Sequence, residues 1–258
     1  MTDRGGRALG FLLVAGLLAL WEGASLTGLL DPFYFPPVHQ VLRSLARATL
    51  DGRLIGALAT SLARGFAGFT LAAVLGVAVG AAAGRHARVR QLLDPLVELL
   101  RPLPSPAIIP VAILLLGIGS SMKVFIIAWA CFFPILLNTI DGVRSVPPAL
   151  IETARNFGLR YTASLLTVVL PAATPGIFTG LRISLAVMLI LTVVTEMVAG
   201  SNGIGFLLLE AERTFRIADM YGFIVALGLV GYALNRLFLA VDRRTLAWHY
   251  AMHRVAAP

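Results

Sequence analysis

The sequence predicts an all-α membrane protein with six transmembrane helices, and three observations carry that reading. Hydrophobic residues make up 58% of the 258 positions, charged residues only 13%, and the mean hydropathy is +0.87. A soluble domain carries roughly 25% charged residues, so many of these apolar side chains face lipid. The apolar residues fall into six runs, and a spanning helix needs about 20 such residues. Finally, most of the arginines sit between the runs, where anionic headgroups and the positive-inside rule account for them. The net charge of +8 therefore does not point to nucleic acid.

The six runs are residues 8–26, 58–83, 92–118, 124–140, 175–199 and 220–241. The first is flanked by Ser25, Thr27 and Gly28, as a signal peptide would be, but removing it leaves the other five entering from the same side. Together the spans consume nearly the whole chain, so we expect one membrane domain over 1–258 with its core at about 55–245. With the N-terminus inside, eleven arginines lie inside: Arg4, Arg7, Arg85, Arg88, Arg90, Arg144, Arg155, Arg160, Arg243, Arg244 and Arg254. Six cations lie outside: Arg43, Arg47, Arg53, Lys123, Arg213 and Arg216. The bias places both termini and the 145–171 loop in the cytoplasm.

Between the spans, Pro32, Pro36 and Pro37 punctuate the chain, and Val38, Val41, Leu42 and Leu45 then recur at helical spacing. That pattern predicts a short amphipathic helix on the membrane surface. The third run contains Arg101-Pro102-Leu103-Pro104-Ser105-Pro106 and Pro110, which predicts a kinked span inside the bundle, since broken backbone at membrane depth must be covered by protein or water. Cys131 lies alone inside an apolar run and reads as a structural thiol.

A polar, glycine-centred stretch interrupts the apolar sequence at Glu152-Thr153-Ala154-Arg155 through Gly158-Leu159 to Leu170-Pro171. Pro147 and Pro148 suit the first turn of a helix, Gly158 suits a left-handed stop, and a second helix follows from Arg160; Pro171 and Pro175 then reset the chain before the fifth span. Glu152 can meet a partner arginine, and the small Ala154 permits close approach. The order Glu-Thr-Ala, three residues, Gly, nine residues, Val168, one residue, Leu-Pro resembles the EAA loop of ABC-importer permeases, with Thr153 and Val168 in place of Ala and Ile. Phe35-Pro36-Pro37, Ile109-Pro110-Val111, Gly117-Ile118-Gly119, Phe133-Pro134-Ile135, Asn138-Thr139 and Gly203-Ile204-Gly205 are similar to landmarks of the nitrate, sulfonate, taurine and bicarbonate subgroup.

The resemblance implies a type I importer permease bundle (MetI-like) in the bacterial inner membrane, working as a homodimer. It further implies two ABC ATPase subunits and a periplasmic or lipid-anchored substrate-binding protein. The 145–171 loop would be the helix that couples to the ATPase. ATP and Mg would then sit on those partners, with no cofactor on this chain, which lacks a Walker A pattern and is not itself an enzyme. The cargo implied is a small anion, an alkanesulfonate or taurine first, with nitrate, bicarbonate, aromatic acids and pyrimidines as the subgroup's other cargoes.

Candidate path residues are the polar groups inside spans: Asn138, Thr139, Arg182, Ser184, Thr192 and Glu196. Arg182 and Glu196 are fourteen residues apart, about 21 Å of helix, so they cannot pair with each other. Each polar residue has a structural alternative, a hydrogen bond between helices. His249 and His253 have the spacing of metal ligands on one helix face but lack a third ligand nearby, so no metal site is expected. An ion-coupled carrier would need mid-span carboxylates and inverted repeats; Glu196 alone is available and no repeat is visible.

Overall fold

The computed structural model describes residues 3–247, and the side chains of 9, 10 and 12–247. His249, His253 and Arg254 lie outside the described residues. Every element is helical, with no strand among the described residues. In chain order they are α1 (Asp3–Leu26), α2 (Val38–Leu50), α3 (Arg53–Arg85), α4 (Ala87–Leu100), a 3₁₀ turn (Ser105–Ile108), α5 (Ile109–Leu116), α6 (Ser120–Arg144) and α7 (Pro148–Asn156). There follow α8 (Tyr161–Ser164), a π turn (Leu165–Val169), α9 (Leu170–Ala199), α10 (Ile204–Arg213) and α11 (Ile217–Thr245). The six expected spans map onto α1, α3, the α4–α5 pair, α6, α9 and α11. Four of these six are long and apolar enough to cross a membrane as single straight helices, α4–α5 is a bent pair, and the apolar stretch of α1, Leu12–Leu26, is shorter.

The chain divides into two compact units. One comprises residues 1–60 and 201–229. Here Trp21 meets Tyr221 edge-on at 5.3 Å, Ser44 hydrogen-bonds Asp219, and the Ser25 hydroxyl donates to the Phe35 carbonyl at 2.7 Å. Helix α2 is the expected amphipathic helix, but its buried face is Val41 and Ala48, one heptad apart, while Leu42 is left exposed.

The other unit, residues 61–200 and 230–258, holds the packed centre. Helix α6 is its axis. Gly68, Gly76, Gly80 and Gly84 of α3 face Ile127, Ile135, Thr139 and Val143 of α6. A Cβ on Gly80 would stand 2.7 Å from the Thr139 Cβ and 2.9 Å from the Leu136 carbonyl oxygen. On the opposite side, α9 brings Gly176 and Gly180 against Gly142 and the Pro134–Asn138 turn, where a Cβ on Gly176 would sit 2.8 Å from the Gly142 Cα. Helices in lipid gain nothing from mere apolar contact, so close backbone approach of this kind is what holds them together. Met122, Ile126, Ile127, Cys131 and Ile135 of α6 are fully buried in the resulting core.

Two expectations are corrected. Residues 92–118 do not form one kinked span: α4 and the Ser105–Leu116 segment meet at 87°. The four-residue run Arg101–Pro104 is responsible, because Pro102 and Pro104 each remove a backbone donor that a continuing helix would need. Conversely, Pro171 and Pro175 do not reset the chain, and Tyr161–Ala199 runs as one 39-residue helix. The π turn at Leu165–Val169 immediately precedes Pro171, and its wider winding accommodates a ring that would otherwise press on the preceding turn. Helix α10 lies between the fifth and sixth apolar runs, where no helix is expected from hydropathy.

Because the Gly80 contact is with backbone as well as side chain, it cannot relax cheaply. Gly80→Val is expected to destabilise the protein by roughly 1–3 kcal/mol, as overpacking does. Thermal unfolding in detergent checks this; an unchanged midpoint contradicts the packing.

Candidate functional site

The loop after α6 folds as its sequence dictates. Pro147 is the N-cap of α7 and Pro148 its first residue, where the missing N–H removes no helical bond. The helix stops at Gly158, at φ +72°. There the Leu159 N–H donates to the Ala154 carbonyl at 3.1 Å and the Gly158 N–H to the Arg155 carbonyl at 2.9 Å. This six-to-one, five-to-two pair is the Schellman arrangement, and it fixes the turn into α8. A side chain at 158 would have to adopt a left-handed conformation at a cost of roughly 1–2 kcal/mol.

Ala154 is buried, while Glu152, Thr153 and Arg155 are exposed. Glu152 and Arg155 line a groove of about 450 Å³ with Arg85, Arg144, Pro148 and Ile151. Around it stand exposed apolar groups: Phe157 at 82% exposure, with Leu150 and Leu159 less so. Leu170 is half-buried and Pro171 exposed at the start of α9. The segment is anchored from below, because Ile151 and Leu165 pack on a core of Ala81 of α3, Val143 of α6, Val146 of the loop, Val169 of the π turn and Ala173 of α9. It is anchored at its side too. The Tyr161 hydroxyl and His86 Nε2 are 2.7 Å apart, their rings stack at 5.1 Å, and Arg85 lies 5.6 Å from the Tyr161 ring centre. The 75-residue separation of His86 and Tyr161 left that clamp invisible in the sequence.

The candidate path residues divide in two. Thr139, Ser184, Thr192 and Glu196 are buried within the chain. Ser184 Oγ donates to the Cys131 carbonyl at 2.9 Å, tying α9 to α6, and Thr192 Oγ1 donates to the Met188 carbonyl at 2.8 Å. The Thr139 hydroxyl has no hydrogen-bond partner. Asn138 and Arg182, by contrast, reach the open side of the helices. Asn138 Nδ2 donates to the Pro134 carbonyl at 2.8 Å.

Glu196 is wholly buried, and α3 supplies its partners. Arg64 Nη1 approaches its Oε1 at 2.9 Å, and Ser61 Oγ donates to its Oε2 at 2.7 Å. Arg64 Nε also donates to Ser120 Oγ at 3.0 Å, at the first residue of α6. Lys123, one turn further along α6, is 3% exposed. One carboxylate thus joins α3 and α9 directly and reaches α6 through Arg64. The sequence singled out Glu196 but not its partners; Arg64, an arginine inside an apolar run, was the signal available.

A helical membrane bundle with a rigid, exposed helix–turn–helix at one end and a charged lock at the other defines a polytopic transport protein. Residues 55–246 match the binding-protein-dependent transport system inner membrane component family, and the chain belongs to it. The chain is 31% identical over 239 residues to the putative aliphatic sulfonates transport permease protein SsuC of Bacillus subtilis, covering 93% of this chain and 87% of that one. It is 33% identical over 241 residues to the taurine transport system permease protein TauC of Escherichia coli, covering 92% and 88%. To the bicarbonate transport system permease protein CmpB of Synechococcus elongatus it is 32% identical over 238 residues, covering 91% and 86%. In fold it is similar to a chain of the inward-facing MetNI methionine ABC transporter, with a TM-score of 0.67 at 19% identity over 76% of this chain and 98% of that one.

Removing one member of a buried ion pair strands the other charge. Glu196→Leu is expected to destabilise the protein by about 3–5 kcal/mol, and adding Arg64→Met to recover much of the loss. A double-mutant cycle by thermal unfolding checks it; additive losses contradict the lock. Thr139→Val removes an orphaned hydroxyl without changing shape, so stability is expected to hold or rise by roughly 1 kcal/mol. A fall in stability in the same assay would show a hydrogen bond to be needed there.

Proposed function

We propose that this chain is the membrane subunit of an ATP-driven importer for small organic sulfonates, among them alkanesulfonates and taurine. The single observation that carries the coupling is α7: a short helix locked at both ends, exposed on one face and packed through Ile151 into the α3–α6–α9 core. Such an element transmits a push from a docked protein with little loss in its own bending. The charge groove beside Glu152 and Arg155 and the exposed Phe157 and Leu159 give a partner something to grip. The names of the aliphatic sulfonate and taurine relatives support the cargo.

In this reading two copies form a homodimer. Two ABC ATPases dock on the paired α7 helices and hold the ATP and Mg, and a substrate-binding protein delivers cargo to the far side. The termini and α7 face the cytoplasm, as the arginine bias expects. ATP binding draws the two α7 helices together and rocks the bundles from one open side to the other. The path follows the Asn138 and Arg182 side of the bundle, since the other polar span residues are enclosed by their own chain. An ion-coupled carrier would use Glu196 as its titrating group, yet that carboxylate is already paired with Arg64.

The test is ATP hydrolysis by the assembled importer in lipid nanodiscs, with and without loaded binding protein. Glu152→Ala with Gly158→Val is expected to abolish stimulation by the binding protein while the chain still folds. Stimulation that survives both changes contradicts coupling through α7.

A further inference from the structure

A second cavity, of about 520 Å³, opens on the free face of α6. Ala130, Pro134, Leu137 and Asp141 recur along it at helical spacing, beside Trp129, Phe133 and Asn138. Its other wall comes from the broken segment between α4 and α5: Arg101, Leu103 and Ser105, with Ile183 of α9. The 87° break between α4 and the Ser105–Leu116 segment brings a cation, Arg101, to this cavity. The volume falls within the range of small-molecule sites.

Its charges are unusual in being held apart. Arg101 and Asp141 line the same cavity and both are exposed, yet they form no ion pair with each other. At Glu196 the same two chemistries close to 2.9 Å. Asp141 also lies in the last turn of α6, where the helix dipole favours a cation. The cavity therefore offers a donor fork for an oxyanion at one place and a carboxylate for an ammonium at another. Trp129 and Phe133, 5.4 Å apart edge-to-face, supply apolar wall beside them.

Resting on the sulfonate-importer reading above, we propose that this cavity is a transit site for a short zwitterion. Arg101 receives its oxyanion and Asp141 its ammonium. A balanced pair suits transit, because a purely cationic pocket would hold an anion too long to release it. Among sulfonates this selects the ω-amino compounds over the plain alkyl ones.

The test is initial uptake by the assembled importer in proteoliposomes of 2-aminoethanesulfonate and of its hydroxyl analogue, 2-hydroxyethanesulfonate, each at saturation. Asp141→Asn is expected to slow the amino compound by about ten-fold or more and leave the hydroxy compound nearly unchanged. Arg101→Gln is expected to slow both. ATP hydrolysis stimulated by the loaded binding protein should persist in each variant, which separates loss of the cavity from loss of folding or coupling. An Asp141→Asn importer that slows both compounds equally, or neither, overturns the transit site while leaving the sulfonate function standing. An unaltered importer that carries nitrate and neither sulfonate overturns both.

Discussion

Close backbone approach between α6 and its two neighbours is the contact on which the rest depends. Lipid is as apolar as leucine, so a bundle cannot rely on the hydrophobic effect to bring its helices together. Here glycines spaced by four and eight along α3 seat β-branched residues of α6, and Gly176 and Gly180 of α9 meet Gly142 and the Pro134–Asn138 backbone from the other side. The helices approach until main chain meets main chain, and dispersion over that length replaces the missing driving force. Side chains larger than glycine at these positions would separate the helices and release the polar links that depend on the separation, such as Ser184 to Cys131.

That packing turns three helices into one body with a working element at each end. The α7 segment is seated through Ile151 on a cluster that includes Ala81 of α3, Val143 of α6 and Ala173 of α9, so a displacement of α7 acts on all three helices. At the opposite end of α6 the Glu196 carboxylate fastens the same three helices through Arg64 and Ser61. A buried ion pair adds little net stability compared with an apolar core, but it punishes any arrangement in which its members part. It therefore favours movement of the body as a whole over sliding of one helix against another. The open face of α6 carries Asn138 and the cavity at the α4–α5 break.

Much of this was legible in the sequence because its causes are local. Span lengths follow from apolar runs, the ends of α7 from Pro148 and Gly158, and the polar stretch from its contrast with its surroundings. What was not legible depends on pairing across the chain. Nothing near Glu196 names Arg64, 132 residues away, as its partner. Burial gave no local signal either: Thr139 is fully enclosed, whereas Asn138, its neighbour in sequence, is only partly so. Proline was ambiguous for the same reason. Pro102 and Pro104 break a span, whereas Pro171 follows a π turn and sits within a continuous helix.

The central claim is that α7 and the α3–α6–α9 body move as one lever. It is tested most directly by spin-label distances in the assembled importer through its ATP cycle. Labels placed at 157 and 120 of one chain, diluted with unlabelled copies, report the body itself, while labels at 157 on both copies report the approach of the two α7 helices. A single lever gives an unchanged 157–120 distribution and a shorter 157–157 distance with ATP bound. A 157–120 distance that shifts while the 157–157 distance stays fixed would contradict it.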